Sequence, residues 1–324
     1  MDGKTILITG GTGTFGNAFA EYALAKYDPR KVIVFSRCEF KQFEMKKRFP
    51  DERMRFFIGD VRDKERLRMA FRGVDIVIHA AALKHVPLGE ITPTEFIKTN
   101  VIGAQNVMVA AIDAGVPKVV ALSTDKAVAP VNLYGATKTC AEKLFIAANI
   151  YQETMFTVVR YGNVAGSRGS VIPLFLEQAR KGEISITDPR MTRFVMEISE
   201  AVELAVDSLA WMKGGEIFIP KLESVRIGDL ARMVGGSTCK IREIGIRPGE
   251  KLAEWLIAPE EARNTVEFGN YYGIFPETDW FEDWPSSEYV KTDSDFVYNS
   301  ENTNNWVSDE RLRKIITDIK KSAA

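Results

Sequence analysis

Residues 6–20 read ILITGGTGTFGNAFA. An apolar, strand-like run stops at Thr9, glycines follow at 10, 13 and 16, and helical spacing of apolar residues resumes from Phe15. Glycine is required where a Cβ would block the turn or a phosphate drawn against the backbone. A strand before and a helix after make this the first βα turn of a parallel sheet. There the diphosphate of a dinucleotide meets the open amides of a helix N-terminus. Gly10, Thr12, Gly13, Thr14, Phe15 and Gly16 are therefore candidate cofactor contacts.

Outward from this turn the pattern repeats. The runs VIVFS, MRFFI, DIVIHA, KVVALS and TVVRYGN alternate with helical stretches, among them residues 94–114 and 133–151. Strands alternating with helices imply an α/β fold with a doubly wound parallel sheet, of Rossmann type given the glycine loop. Beyond Gly162 the rhythm loosens, which predicts a dinucleotide-binding domain over 1–162 and a smaller substrate-binding lobe over 163–324, partly interleaved with the first. The tail from Pro259 is acidic and aromatic (YYGIF, WFEDW). It is open to three readings: a cover over the substrate pocket, a subunit interface, or core packing.

The totals exclude several functions. The 324 residues carry a formal net charge of -1, which gives no electrostatic support to a nucleic-acid or anionic-membrane surface. Three scattered cysteines and two histidines indicate neither a disulfide framework nor a metal site. No signal-peptide pattern opens the chain, and no apolar stretch reaches the roughly 18 residues of a spanning helix. A cytoplasmic, reducing setting is expected.

The second strand ends in Ser36 and Arg37, with Lys41 one turn into the next helix. An NAD site usually carries Asp or Glu there to bind the ribose 2′-hydroxyl; donors and positive charge suit the 2′-phosphate of NADP. Asp60, followed by Val61, ends the third strand where a carboxylate reads an adenine amino group. Ala80, Ala81 and Ala82 let backbone approach the cofactor after the fourth, where His79 reads as a core residue.

Residues 123–138 read STDKAVAPVNLYGATK. The spacing of Tyr134 and Lys138 puts both on one helical face, where an ammonium stabilises phenolate and lowers the Tyr pKa. Thr124 reaches the same substrate oxygen. With the glycine loop, this set resembles the extended short-chain dehydrogenases/reductases. The segments AALKHVP, IKTN, STDKA, NLYGATK, RYGNVAGSRGSV, ITDPRMTRF and IRPGEK narrow the resemblance to the UDP-N-acetylglucosamine 4,6-dehydratases that invert C5, from the first strand to about Trp255.

That resemblance implies that Tyr134 takes the 4-hydroxyl proton as NADP⁺ takes the C4 hydride. Lys126 then removes the acidified C5 proton, Asp125 protonates the departing 6-hydroxyl, and the hydride returns to C6. Relatives that retain C5 carry Asp-Glu at the Asp125-Lys126 position. The base must be uncharged to act; burial and Lys138 press Lys126 that way, while the adjacent carboxylate opposes it.

For the diphosphate of the nucleotide-sugar, arginine is the best-shaped partner, and Arg168, Arg193 and Arg247 are candidates. Resemblance adds Lys84 and His85 near the cofactor and sugar, Asn163 and Arg168 on the substrate, and Thr187 at the uridine. Asn100 links the helix to the active-site hydrogen bonds and is counted with the substrate residues. Glu250 faces the nucleotide or forms a helix-start ion pair. Ala129 and Val195 depart from the family, which often has Asn and usually Trp there. A homo-oligomer, hexameric or dimer-based, is implied. Alternatives are a C5-retaining dehydratase, a C4 epimerase, or a non-catalytic NADP-binding sensor or scaffold.

Overall fold

The computed structural model describes residues 1–322 except 168, 282, 283 and 286. Its first half follows the alternation of the sequence: β1 (Thr5–Thr9), α1 (Thr14–Lys26), β2 (Lys31–Ser36), α2 (Glu39–Arg48), β3 (Met54–Ile58), α3 (Lys64–Ala70) and β4 (Ile76–His79). Two short helices, α4 (Val86–Ile91) and α5 (Pro93–Phe96), lead through a π-helical turn over Ile97–Ile102 into α6 (Gly103–Asp113). Then come β5 (Lys118–Leu122), α7 (Leu133–Ala147) and β6 (Met155–Val159). These six strands pair in parallel in the order β6-β5-β4-β1-β2-β3. The apolar runs of five of them are buried on both faces, as a sheet covered by helices on each side requires, while the edge strand β3 fully buries only Met54.

The second half does two things. β7 (Asn163–Val164), α8 (Val171–Arg180), β8 (Glu183–Ile186) and β9 (Thr192–Met196) begin a lobe, and α9 (Ile198–Trp211) returns to pack on α1. β10 (Ile217–Pro220) then rejoins the large sheet parallel to β6. β11 (Glu223–Arg226), α10 (Ile227–Gly235) and β12 (Lys240–Glu243) go back to the lobe. After β13 (Trp255–Ile257), the antiparallel strands β14 (Thr265–Phe268), β15 (Tyr271–Ile274) and β16 (Val290–Lys291) extend the sheet beyond β10. β17 (Tyr298–Asn299) pairs with β13, and α11 (Asp309–Ser322) closes the lobe. Four of the ten strands of the large sheet thus lie beyond residue 162, so the chain on the two sides of that position is interleaved in one sheet.

Two cores result. One fills the sheet and its helices; the other joins Ile172, Phe175, Ile184, Val195, Leu230 and Ile315 within the lobe. The aromatic tail packs as core: Trp211 meets Tyr271 at 4.7 Å between ring centroids, and Trp284 meets Phe268 at 5.0 Å and Phe275 at 5.4 Å. Such edge and tilted contacts add to the burial of large apolar surfaces. No helix among the described residues is long and apolar enough to cross a membrane.

Candidate active site

The site forms at the carboxyl ends of the parallel strands, where loops from successive strands converge. After β1, Gly10 turns at φ +67°, and a Cβ there would lie 2.8 Å from the Ala81 backbone. The β1 and β4 loops therefore touch, and only glycine permits it. Gly13 starts α1 with no side-chain cap and no acidic residue in the first turn. Uncapped amides with no opposing carboxylate fit a dinucleotide diphosphate. His79 accepts or donates at 2.8 Å with Thr9 Oγ1. Burial, with the Lys138 charge, drives its pKa down to about 3, so it is a neutral core residue.

At the ends of β2 and β3 the polar groups are already engaged. Gln42 donates to the Ser36 hydroxyl at 3.0 Å and to the Phe57 carbonyl at 2.9 Å, which ties α2 to both strands. Arg37 lies 3.6 Å from Asp60, and Asp60 also takes Arg62 at 2.6 Å. Burial raises the Asp60 pKa, but Arg62 and then Arg37 outweigh it and hold the carboxyl below its usual range. Val61 is buried beside Gly103, and Lys41 is exposed on α2.

The catalytic stretch starts at the end of β5. Thr124 donates to Asp125 Oδ1 at 2.9 Å and caps the short turn over Asp125–Ala127 by accepting from the Lys126 amide. Asp125 is 1% exposed. Lys126 Nζ lies 3.1 Å from Asp125 Oδ1 and 3.0 Å from Glu254 Oε1, so its ammonium bridges two buried carboxylates. Asn132 caps α7, accepting from the Gly135 amide at 2.8 Å, and donates to the Gly249 carbonyl at 2.8 Å. Lys251 donates to the Val128 carbonyl at 2.7 Å. The 249–254 segment is thereby fastened to the loop that carries Lys126.

The electrostatics differ from the expectation drawn from spacing. Lys138 Nζ donates to the Leu122 carbonyl at 2.6 Å, and burial drops its pKa to about 8 although Glu142 opposes. Burial pushes the Tyr134 phenol up to about 12; the cation that pulls it back is Lys126, with help from the Thr124 hydroxyl, rather than Lys138. Burial lowers Lys126, but Asp125 and Glu254 more than reverse it, so the ammonium form is favoured. Asp125 moves up, chiefly by burial, against the pull of Lys126. Glu254 is raised by burial but held low by Lys126, Arg193 and Lys251.

The remaining candidates divide. Lys84 sits beside Lys126, and partial desolvation with that charge lowers its pKa. Arg193, 13% exposed, donates to the Thr192 carbonyl at 2.7 Å and lies 3.7 Å from Glu254. It faces the catalytic cluster as well as the cleft. Asn163 Oδ1 is buried without a hydrogen-bond partner among the described residues, in a cavity of about 30 Å³ that Arg193 and Val195 also line. Val195 therefore leaves space where the family usually has Trp. Thr187 donates to Met191 Sδ at 3.0 Å, and Arg247 is exposed. Arg168 lies outside the described residues.

Three further candidates are engaged within the chain. Asn100 spends its amide on Leu83, at 2.8 Å in both directions, and on Thr137 at 3.0 Å, so it braces the β4 loop against α7 and has no donor left for substrate. Its π-helical turn is a local device often found beside functional sites. Glu250 accepts from the Arg247 amide and closes a turn. His85 caps α4, accepting from Leu88 at 3.4 Å. Glu254 escaped the sequence reading because only tertiary docking brings it to Lys126; its one local signal is its place just after IRPGEK.

Comparison with known proteins places the chain among nucleotide-sugar enzymes. The family model described as "Polysaccharide biosynthesis protein" matches residues 6–276. The chain is 49% identical over 328 residues, 98% of each chain, to the UDP-N-acetylglucosamine 4,6-dehydratase (inverting) of Campylobacter jejuni subsp. jejuni serotype O:23/36 (strain 81-176). It is 46% identical over 282 residues, 84% of this chain and 82% of the relative, to the UDP-glucose 4-epimerase of Rickettsia canadensis (strain McKiel). The crystal structure of DesIV, a dTDP-glucose 4,6-dehydratase from Streptomyces venezuelae with NAD and TYD bound, superposes with a TM-score of 0.71. It is 26% identical, over 76% of this chain and 86% of that one.

Proposed function

The chain belongs to the polysaccharide biosynthesis family of extended short-chain dehydrogenases/reductases, and on that premise we propose that it is an inverting UDP-N-acetylglucosamine 4,6-dehydratase. The observation that carries this reading is the Asp125–Lys126 pair one residue past Thr124 and beside Tyr134. Oxidation and re-reduction at C4 need one acid/base, Tyr134, with the groups that support it. Elimination of water across C5 and C6 needs a second acid and a second base, and this pair supplies both.

A bound nicotinamide dinucleotide, in its NADP form, supplies reversible hydride acceptance. The chain's own residues do the rest. The open glycine turn and the uncapped start of α1 hold the diphosphate; Ser36, Arg37 and Lys41, with no carboxylate at the end of β2, favour the 2′-phosphate. Tyr134 takes the 4-hydroxyl proton, its phenolate stabilised by Lys126 and Thr124. The Asp125–Lys126 pair rests as carboxylate and ammonium 3.1 Å apart. Moving that one proton from Lys126 to Asp125 yields a neutral amine and a carboxylic acid, the two states elimination requires. Lys126 then removes the C5 proton and Asp125 protonates the departing 6-hydroxyl. With the C4 hydride returned to C6 by the bound dinucleotide, reprotonation of C5 from the opposite face would give the 4-keto-6-deoxy-L-sugar nucleotide, a precursor for surface polysaccharide or pseudaminic acid. Exposed free Cys38 and Cys140 suit a reducing cytoplasm.

The 46% identity to a protein named UDP-glucose 4-epimerase favours a second reading, in which turnover stops at C4. Lys126→Ala separates the two by their product. A dehydratase variant forms no 6-deoxy sugar, whereas a C4 epimerase variant still forms the 4-epimer alone, more slowly because the cation that lowers the Tyr134 pKa is gone.

A further inference from the structure

Glu254 has no part in the steps above, yet it touches the base. Its Oε1 is 3.0 Å from Lys126 Nζ and 3.7 Å from Arg193 Nε. Its Oε2 is 3.7 Å from Lys251 Nζ and has no hydrogen bond among the described residues. A carboxylate only 3% exposed is costly unless opposite charge compensates it. Its backbone is fixed on both sides: the Glu254 amide donates to Ser300 Oγ at 3.0 Å, and the Ser300 amide donates to the Glu254 carbonyl at 2.9 Å. The carboxylate is thus held rigidly against Lys126 by a segment that reaches the site from the second half of the chain.

We propose that Glu254 is a positioning residue, the fixed counter-ion that holds Lys126 beside Asp125 and sets the pH range over which the Asp125–Lys126 pair keeps the one proton it shares. The inference rests on the reading of Lys126 as the C5 base. The charged or titratable groups that face Lys126 are Asp125, Glu254, Arg193, Lys84 and Tyr134, with Lys251 acting through Glu254. Asp125 cannot be the adjustable partner, because it must also serve as the acid. The Glu254 carboxylate is ion-paired with Lys126, Arg193 and Lys251 and acts on Asp125 and Tyr134 only through space, so it biases the pair without entering the elimination. A neighbouring carboxylate keeps an ammonium protonated to higher pH and raises a nearby carboxyl as well, so the one-proton form of the Asp125–Lys126 pair, the form that eliminates, is reached at higher pH while Glu254 is charged.

The test uses full-length protein labelled with ¹³Cε-lysine, the Lys126 signal being assigned by its loss in Lys126→Arg. In Glu254→Gln, the Lys126 titration and the ascending limb of kcat/KM for product formation both fall by about 1–3 pH units, while KM changes little. Glu254→Asp, which keeps the charge, stays within about one unit of wild type, less than removal of the charge gives. Arg193→Gln and the double variant Arg193→Gln/Glu254→Gln carry the test if Glu254→Gln, which leaves Arg193 unpaired, does not fold: the Lys126 titration is lower in the double variant than in Arg193→Gln. An unmoved Lys126 titration in the folded variants overturns the inference. Wild-type protein that forms no 6-deoxy product overturns the functional reading instead, and the NMR titration still decides Glu254.

Discussion

Ala129 turns at φ +41°, in the left-handed region that side chains other than Gly and Asn adopt at a cost. It lies three residues past Lys126, and the Asn often found there in the family suits that conformation. Ala129→Gly or Ala129→Asn is therefore expected to stabilise the protein by about 0.5–1 kcal/mol, read as a higher urea midpoint with an unchanged m-value. Tyr134→Phe removes the phenolic acid/base and should lower kcat by roughly 10²–10⁴. At this scale the candidate groups are legible because their spacing is local: Thr124, Asp125, Lys126, Tyr134 and Lys138 fall within one short stretch. Their charges are not. The spacing of Tyr134 and Lys138 does not disclose that the Leu122 carbonyl holds one ammonium while Lys126, ahead of the helix, acts on the phenol.

At the scale of elements, α7 and the Lys126 loop pack so closely that a Cβ on Gly135 would lie 2.1 Å from the Lys126 carbonyl oxygen. Gly135→Ala must push the loop away from the helix. The expected result is a kcat loss of about 10²-fold or more, since small displacements of catalytic groups are that costly, with cofactor binding measured by fluorescence titration nearly unchanged. The β1–β4 pair carries a pH dependence through His79. Its pKa falls from 6.5 to about 3 in the folded chain, so between those values the unfolded chain binds more protons. Stability is then lost as pH falls through that window. Urea midpoints of His79→Asn should decline less steeply from pH 6.5 to pH 4 than those of wild type. The parallel strands were legible because each is a β-branched run set between helices. Strands such as β14–β16 were not, since runs of two to four residues with turns between them carry little periodicity.

Across the whole molecule the two halves are locked by Arg160. Buried beneath the sheet ends, it donates to Glu142 of α7 at 2.7 Å, to Glu261 at 2.9 Å and to the Leu256 carbonyl at 2.9 Å. Glu142 also accepts from Ser123, next to the catalytic turn. Arg160→Met leaves a buried carboxylate unpaired and should cost about 3–5 kcal/mol; adding Glu142→Leu should recover much of that. Nothing in the sequence around TVVRYGN marks this arginine as buried, because its partners come from distant segments. The same holds for Glu254 and Lys126. Exposed Leu88, Ile91, Ile97 and Ile102 crowd the α4–α6 stretch, the face through which we propose that a homo-oligomer forms. Ile91→Asp combined with Ile102→Asp should lower the mass measured by light scattering.

Proton NMR in D₂O of the purified protein with UDP-N-acetylglucosamine and added NADP⁺ is the most direct test of the second acid/base pair. A new 6-deoxy methyl signal with deuterium at C5 and the L-configuration is expected if Asp125 and Lys126 act as assigned. A methyl product that retains the C5 configuration, or a 4-epimer formed without loss of water, would refute that assignment.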